Sequence, residues 1–180
     1  MNKRKLWIPL ALSCMLIISG CGLNTSHQTS KNLSPESSSS LQVPAEKEAT
    51  LHYYKSSDDG MKLIPVTKKV PAKDNTAKTA IEEMLRADRK AKYPILPAGL
   101  SLKNISIENG TAYVNFNKEA NDIQGSTVQT LFIAMTVDTL TEFPNIRQVV
   151  LTAEGKPLQF QIDMSEPFKR DEGYILMEKK

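Results

Sequence analysis

Two alternating apolar runs meet at Asn109-Gly110 in "LKNISIENGTAYVNF", and no other stretch restricts the fold as tightly. Asn-Gly suits a two-residue type I′ turn, whose positive φ angles match the twist of paired strands. Leu102, Ile105 and Ile107 before it, with Tyr113, Val114 and Phe116 after it, read as an antiparallel hairpin. Beyond the hairpin, "STVQTLFIAMTVDTLTEF" carries Val128, Leu131, Phe132, Met135, Thr139 and Phe143 down one side of a helix. Ile133, Val137 and Leu140 widen that stripe into a broad arc, which predicts the central core element. Ser126 and Gln129 match a capping box at its start, and Pro144-Asn145 ends it.

The remaining elements fall around this pair. "ATLHYYK" has strand composition, Asp58-Asp59-Gly60 reads as a turn, and "MKLIPVTKKV" is a second strand whose Pro65 implies an edge or a bulge. Asp74-Asn75 offers a cap for a helix that places Ala77, Ile81, Met84, Leu85 and Asp88 on one buried face. Lys78, Glu82 and Arg86 follow at i,i+4 on another face. "KYPILPAGLSL" is a proline-interrupted connection. "IRQVVLTAEGKPLQFQI" gives a strand, a turn at Glu154-Gly155 and a short returning strand, followed by a polar tail over the surface. The expected fold is α+β in the order β-β-α-β-β-α-β-β. It is a small mixed sheet with two helices on one face, formed by residues 49–180 as one domain.

The amino terminus is of another kind. Asn2-Lys3-Arg4-Lys5 precedes an apolar run from Leu6 to Ile18 that contains Pro9. A helical span needs about 20 apolar residues, so this run reads as a signal segment instead. Ile18-Ser19-Gly20-Cys21 resembles the bacterial lipobox. That match implies cleavage after Gly20, a signal peptide over residues 1–20, and diacylglycerol and fatty acyl (palmitate-type) modification of Cys21. An ordinary signal with an incidental cysteine is the alternative; the cysteine's place at the end of the apolar run and the polar switch after it favour the lipoprotein. Two acyl chains hold a protein at a membrane where one only lingers. The expected location is therefore the outer face of the cell membrane. Residues 21–48 are rich in Ser, Thr, Asn and Pro and read as the lipidated cysteine with a flexible tether. About 27 tether residues reach roughly 30 Å.

Removing the signal also changes the charge. The chain has 23 Lys and Arg against 20 Asp and Glu, and Lys3, Arg4 and Lys5 leave with the signal, so the remainder balances. That argues against nucleic acid as a partner. The two cysteines are Cys14, inside the signal, and Cys21, so no thiol is left for a disulfide and the fold rests on its core.

Catalysis requires converging titratable groups, and the sequence offers few. His27 lies in the tether and His52 in an alternating strand, where it reads as a surface residue. No G-x-S-x-G, H-E-x-x-H, C-x-x-C or Gly-rich phosphate loop occurs. Glu82 and Glu83 are adjacent on a helix, point about 100° apart, and read as a charged exposed face rather than a catalytic pair. The expectation is no enzyme, no cofactor and no metal. "RADRKAK" gathers Arg86, Arg89, Lys90 and Lys92. Complementing the helix dipole explains it, and contact with anionic lipid or wall polymer is the sharper possibility. Methionine and aromatic residues at helical spacing read as core, and an exposed strand edge as the better binding surface.

"GMKLIPVTKKV", "YPILPAGLSLKNISIENGTAYVNFN", "TLTEFPNIRQVVLTAEGKPL" and "DMSEPFKRD" stand in the order and spacing of the GerMN domain, the sporulation and germination family. The resemblance covers nearly all of residues 49–171. Its weight lies in the conjunction of Pro97-x-Gly99, Asn109-Gly110 with Tyr113-Val114-x-Phe116, Leu140-Thr141-Glu142-Phe143-Pro144 and Glu154-Gly155. It implies a non-enzymatic module similar in fold to the ring-building motifs of envelope secretion machines, supporting assembly of envelope complexes. Family members are often lipoproteins of endospore-forming and related bacteria, and some carry two copies of the domain, whereas this chain has room for one. The leading expectation is a membrane-anchored module contacting envelope proteins in sporulation or germination. A protein that binds cell-wall polymer or a small ligand is the second, and a hydrolase built on His52 a distant third.

Overall fold

The computed structural model describes residues 47–176. The expected signal segment 1–20, the expected cut after Gly20, Cys21 and nearly all of the expected tether lie outside the described residues. No helix among the described residues is long and apolar enough to cross a membrane.

The element order is the expected one: β1 (Glu48–Ser56), β2 (Leu63–Pro71), α1 (Ala77–Arg89), β3 (Leu102–Glu108), β4 (Thr111–Phe116), α2 (Ser126–Thr141), β5 (Gln148–Ala153) and β6 (Lys156–Pro157). Asn109 and Gly110 have φ of 51° and 82°, as the type I′ hairpin between β3 and β4 requires. Glu154 and Gly155 repeat the device between β5 and β6, with φ of 51° and 76°.

The strands, expected in one sheet, divide into two. β1 and β2 form an antiparallel pair, and β3-β4-β5-β6 form a mixed sheet in which only β4 and β5 run parallel. A specific bond accompanies the division. Tyr54 on β1 donates its backbone N–H to Thr139 Oγ1 on α2 at 3.0 Å, where a wider sheet would offer a neighbouring strand. Buried backbone donors must find an acceptor, and here the helix provides it.

α2 is the core element. Leu131 through Leu140 are buried without a break, and α2 contacts β1, β5 and α1. Phe132 lies against Phe116 of β4 at 5.2 Å between ring centroids and against Phe160 at 6.2 Å. The helix does not begin with the expected capping box. Gly125 occupies the cap at φ 84°, while the buried Gln129 donates Nε2 to the Ile123 carbonyl and accepts from the Gln161 N–H, each at 3.0 Å. Burial leaves an amide side chain little choice but to bond whatever backbone lies nearby. α1 is capped by Thr76, whose Oγ1 accepts from Thr79 N at 3.1 Å, two residues beyond Asp74. Asp88, one of two buried carboxylates of this helix, accepts from Ile95 N and Leu96 N and so pins the proline-rich connection.

The segment after β6 is also more than a surface tail. Phe168 and Val149 exchange backbone bonds of 2.8 Å, and Leu176 N donates to Leu63 O at 2.7 Å. One run of chain thereby joins β5 of the larger sheet to β2 of the smaller. A direct test of this packing is Phe132→Ala. The expected cost is about 3–5 kcal/mol in chemical denaturation, because the site is enclosed on all sides. A loss below about 1 kcal/mol would mean that α2 is not the centre of the core.

Candidate interaction site

His52 is the first position to examine, because a catalytic reading depends on it. It is exposed on β1 and borders a cleft of about 90 Å³ with Thr50, Asn75 and Glu142. The Glu142 carboxylate is engaged elsewhere: Oε1 accepts from Tyr54 OH at 2.8 Å and meets Arg170 Nη1 at 3.0 Å. Among the described residues no hydrogen bond joins His52 to Glu142 or to a serine. Nor do three or more His, Cys, Asp and Glu residues among them come together as metal ligands would. Asp58-Asp59-Gly60 is a self-contained turn, in which Asp59 accepts from the Ser57 hydroxyl and from Met61 N.

The four basic residues Arg86, Arg89, Lys90 and Lys92 do not form one patch. Arg86 and Arg89 line a cleft of about 250 Å³ between α1 and β3, together with Glu82, Leu85, Ser101 and Leu102. Lys90 caps the helix C-terminus in solvent, and Lys92 lies 5.1 Å over the Tyr93 ring. Glu83, expected on an exposed face, is buried and pairs with Lys68 at 2.8 Å and with Arg86 at 2.7 Å. Two cations explain how its carboxylate tolerates burial.

A second polar cluster, which sequence reasoning missed, ties the tail to the core. Arg170 donates Nη2 to Tyr54 OH at 2.7 Å and Nη1 to the Asp138 carbonyl at 3.2 Å, and it pairs with Glu142 and Glu172. Beside it, Asp138 Oδ1 accepts from Asp171 N at 3.3 Å, while Oδ2 is buried without a partner. Burial pushes the Asp138 carboxyl up to about 6, against the opposing pull of the Asp171 N–H and the Arg170 charge. A lone carboxylate inside "FIAMTVDTL" was the available signal. The same tail flanks an apolar groove of about 260 Å³ on α2, walled by Ile133, Val137, Ile162, Phe168 and Tyr174 among others.

The larger sheet also carries exposed apolar residues, at its β3 edge and beside it. β3 is its terminal strand, and among the described residues only β4 hydrogen-bonds to its Ile105–Glu108 stretch. Ile107 on this edge is 40% exposed, and Tyr113, opposite Ser106 on the uncovered face, is 43% exposed. Around Tyr113 the face carries a polar lattice in which Asn115 bonds Asn104, Thr152 and Gly155 N. Such an edge offers backbone donors and acceptors to an incoming strand.

Known proteins resemble the chain in sequence and in fold. A family model described as "Germane: Sporulation and spore germination" matches residues 50–159. Among solved structures, the tandem GerMN domains of the sporulation protein GerM from Bacillus subtilis align with a TM-score of 0.53 and 22% identity, covering 69% of this chain and 46% of that one. The first GerMN domain of the same protein aligns with a TM-score of 0.52 and 24% identity, covering 68% of this chain and 96% of that one. The chain thus spans less than half of the tandem structure and nearly the whole of the single domain. No curated protein matches.

The Asp138 site makes a pH-dependent prediction. A carboxyl whose value is raised from 3.8 to about 6 by folding binds its proton more tightly in the native state. Its contribution is therefore most favourable below pH 4 and declines as pH rises to about 6, then stays level. Asp138→Asn is expected to match the parent near pH 4 and to exceed it by about 1–3 kcal/mol at pH 7 in denaturant titrations. A variant whose relative stability does not rise over that interval would refute the assignment.

Proposed function

Because the chain belongs to the Germane family of sporulation and spore germination domains, we propose that it is a lipid-anchored interaction module that works outside the cytoplasmic membrane and catalyses no reaction. In this reading the signal segment 1–20 is removed, lipid on Cys21 holds the chain at the membrane, and the tether lets the folded domain reach envelope proteins above the headgroups. Its partners are those proteins, and its task is to help complexes assemble during sporulation or germination.

The observation that carries the reading is the open β3 edge beside exposed Ile107 and Tyr113. Strand addition gains affinity from main-chain bonds and selectivity from alternate side chains. The absence of catalysis is supported by how the titratable groups are used: Glu83, Glu142, Arg170 and Asp88 are bound into contacts that hold segments together. The lipid anchor is supported by the lipobox-like Ile18-Ser19-Gly20-Cys21.

Two measurements test the two halves separately. Mass spectrometry of the native protein is expected to find Cys21 as the first residue, carrying diacylglycerol; an unmodified Cys21 would end the anchoring reading. Photo-crosslinking residues placed at Ser106 and Ile107 are expected to capture envelope proteins in sporulating cells, with at least about tenfold less capture from the exposed Asp58 turn, as befits a localised hot spot. Equal capture at both places, or none at β3, would remove the edge from consideration.

A further inference from the structure

The cleft between α1 and β3 carries an inference independent of the edge-strand reading. Arg86 and Arg89 stand one helical turn apart, and each guanidinium is anchored by one nitrogen only. Arg86 Nη1 is held by buried Glu83, itself fixed by Lys68, and Arg89 Nη1 donates to the Leu100 carbonyl at 3.3 Å. A guanidinium has five N–H donors, so most of each fork remains available. Across the cleft Ser101 is pinned through its backbone: its N–H donates to Asn117 Oδ1 at 2.9 Å, and its carbonyl accepts from Asn117 N at 3.0 Å. No described group bonds its hydroxyl. Asn117 also donates to the Gly99 carbonyl at 2.8 Å, which fixes the loop behind it.

The charge around the cleft favours an anion. The cleft lining carries two cations, Arg86 and Arg89, against one carboxylate, Glu82; nearby stand Lys68 and Lys78, and Glu83, Asp88 and, against Gly99, Glu119. Of these carboxylates, Glu83 is taken by Lys68 and Arg86, Asp88 is turned to Ile95 N and Leu96 N, and Glu82 is met by Lys78 at 3.8 Å. Two orientable guanidinium forks with a hydroxyl opposite match the fixed oxygens of a tetrahedral oxyanion. Leu85 and Leu102 add an apolar wall for the carbon side of an ester. The volume of about 250 Å³ leaves room for that group.

We propose that this cleft binds a phosphate ester, with Arg86 and Arg89 gripping the phosphate and Ser101 donating its hydroxyl. Two sources carry that chemistry, a phospholipid headgroup at the membrane surface and a soluble phosphate compound. Lys90 and Lys92 lie outside the cleft and make no direct contact.

The test uses the full chain throughout. Calorimetric titration with inorganic phosphate is expected to show one site. Arg89→Gln, which leaves the Arg86–Glu83 pair intact, should weaken it about tenfold, as loss of a charge-assisted bond does. Arg86→Lys keeps a cation against Glu83 while losing the fork, and should weaken it by a similar factor. The double variant Lys90→Gln, Lys92→Gln should stay within about twofold, since those charges act only at a distance. Absence of phosphate binding overturns the proposal, as does equal weakening by the Lys pair and the Arg variants. Co-sedimentation with phosphatidylglycerol vesicles against phosphatidylcholine vesicles then distinguishes the source, every variant sharing the same amino terminus. An excess on phosphatidylglycerol that depends on Arg89 identifies a headgroup, and phosphate binding without that excess identifies a soluble ester; either result upholds the site.

Discussion

From Leu131 to Leu140 α2 has no free face, and the rest of the domain is arranged around that fact. An ordinary amphipathic helix turns one stripe inward and keeps water on the other. Here Leu131 to Leu140 are all buried, so every direction around the axis needs a cover. No single small sheet provides one. The larger sheet takes one side through β5, β1 takes another, α1 packs alongside, and the tail crosses what is left. The division of the strands into two sheets is thus a consequence of enclosing one helix.

The polar residues of α2 determine which segment lies where. Burying a hydroxyl or amide without a hydrogen bond costs about 1–3 kcal/mol in proteins, so each buried group selects its neighbour. Thr136 satisfies itself on the Phe132 carbonyl. Thr139 takes the β1 N–H of Tyr54, and Gln129 bonds the loop before the helix and the tail after β6. Asp138 is the exception, because one of its oxygens has no partner and its carboxyl is forced up to about 6. A nonpolar residue would pack there without that conflict. The carboxylate instead receives the tail through Asp171 N, next to the point where Arg170 gathers Tyr54, Glu142 and the Asp138 carbonyl. Segments far apart in sequence therefore converge on one charged joint.

How much of this was legible follows from the range of each interaction. The β3–β4 hairpin was read correctly because Asn109-Gly110 sets both angles locally. The two helices were visible because periodicity is a property of the segment itself. Cap residues were less secure: Ser126 and Gln129 fit a capping box in spacing, yet burial turned Gln129 toward Ile123 and Gln161. Glu83 reads as exposed from its helix alone for the same reason, since one of the two cations that make its burial tolerable, Lys68, arrives from β2. Pairings such as Phe168 with Val149, or Arg170 with Tyr54, have no signature in either partner alone. Of the basic residues, sequence supplied the cluster, and only the fold separates the two that share a cleft from the two that do not.

The same reasoning explains why the outward-facing surfaces of the larger sheet are unequal. Its two ends differ in length and in protection. β6 is two residues long and ends at Pro157, which cannot donate to a ladder, so that end is closed to extension. β3 has seven residues and protects only its beginning, where the register shifts between Leu102 and Asn104 and Lys103 reaches across to Glu154. Bulges and lysines are the devices that discourage edge pairing. Past them, Ile105 to Glu108 is regular, paired on one side, and bordered by exposed Ile107 and Tyr113. Helix burial commits the inner face to the core, and the short β6 closes one end. The second half of β3 is then where this sheet still has main-chain bonding capacity to offer.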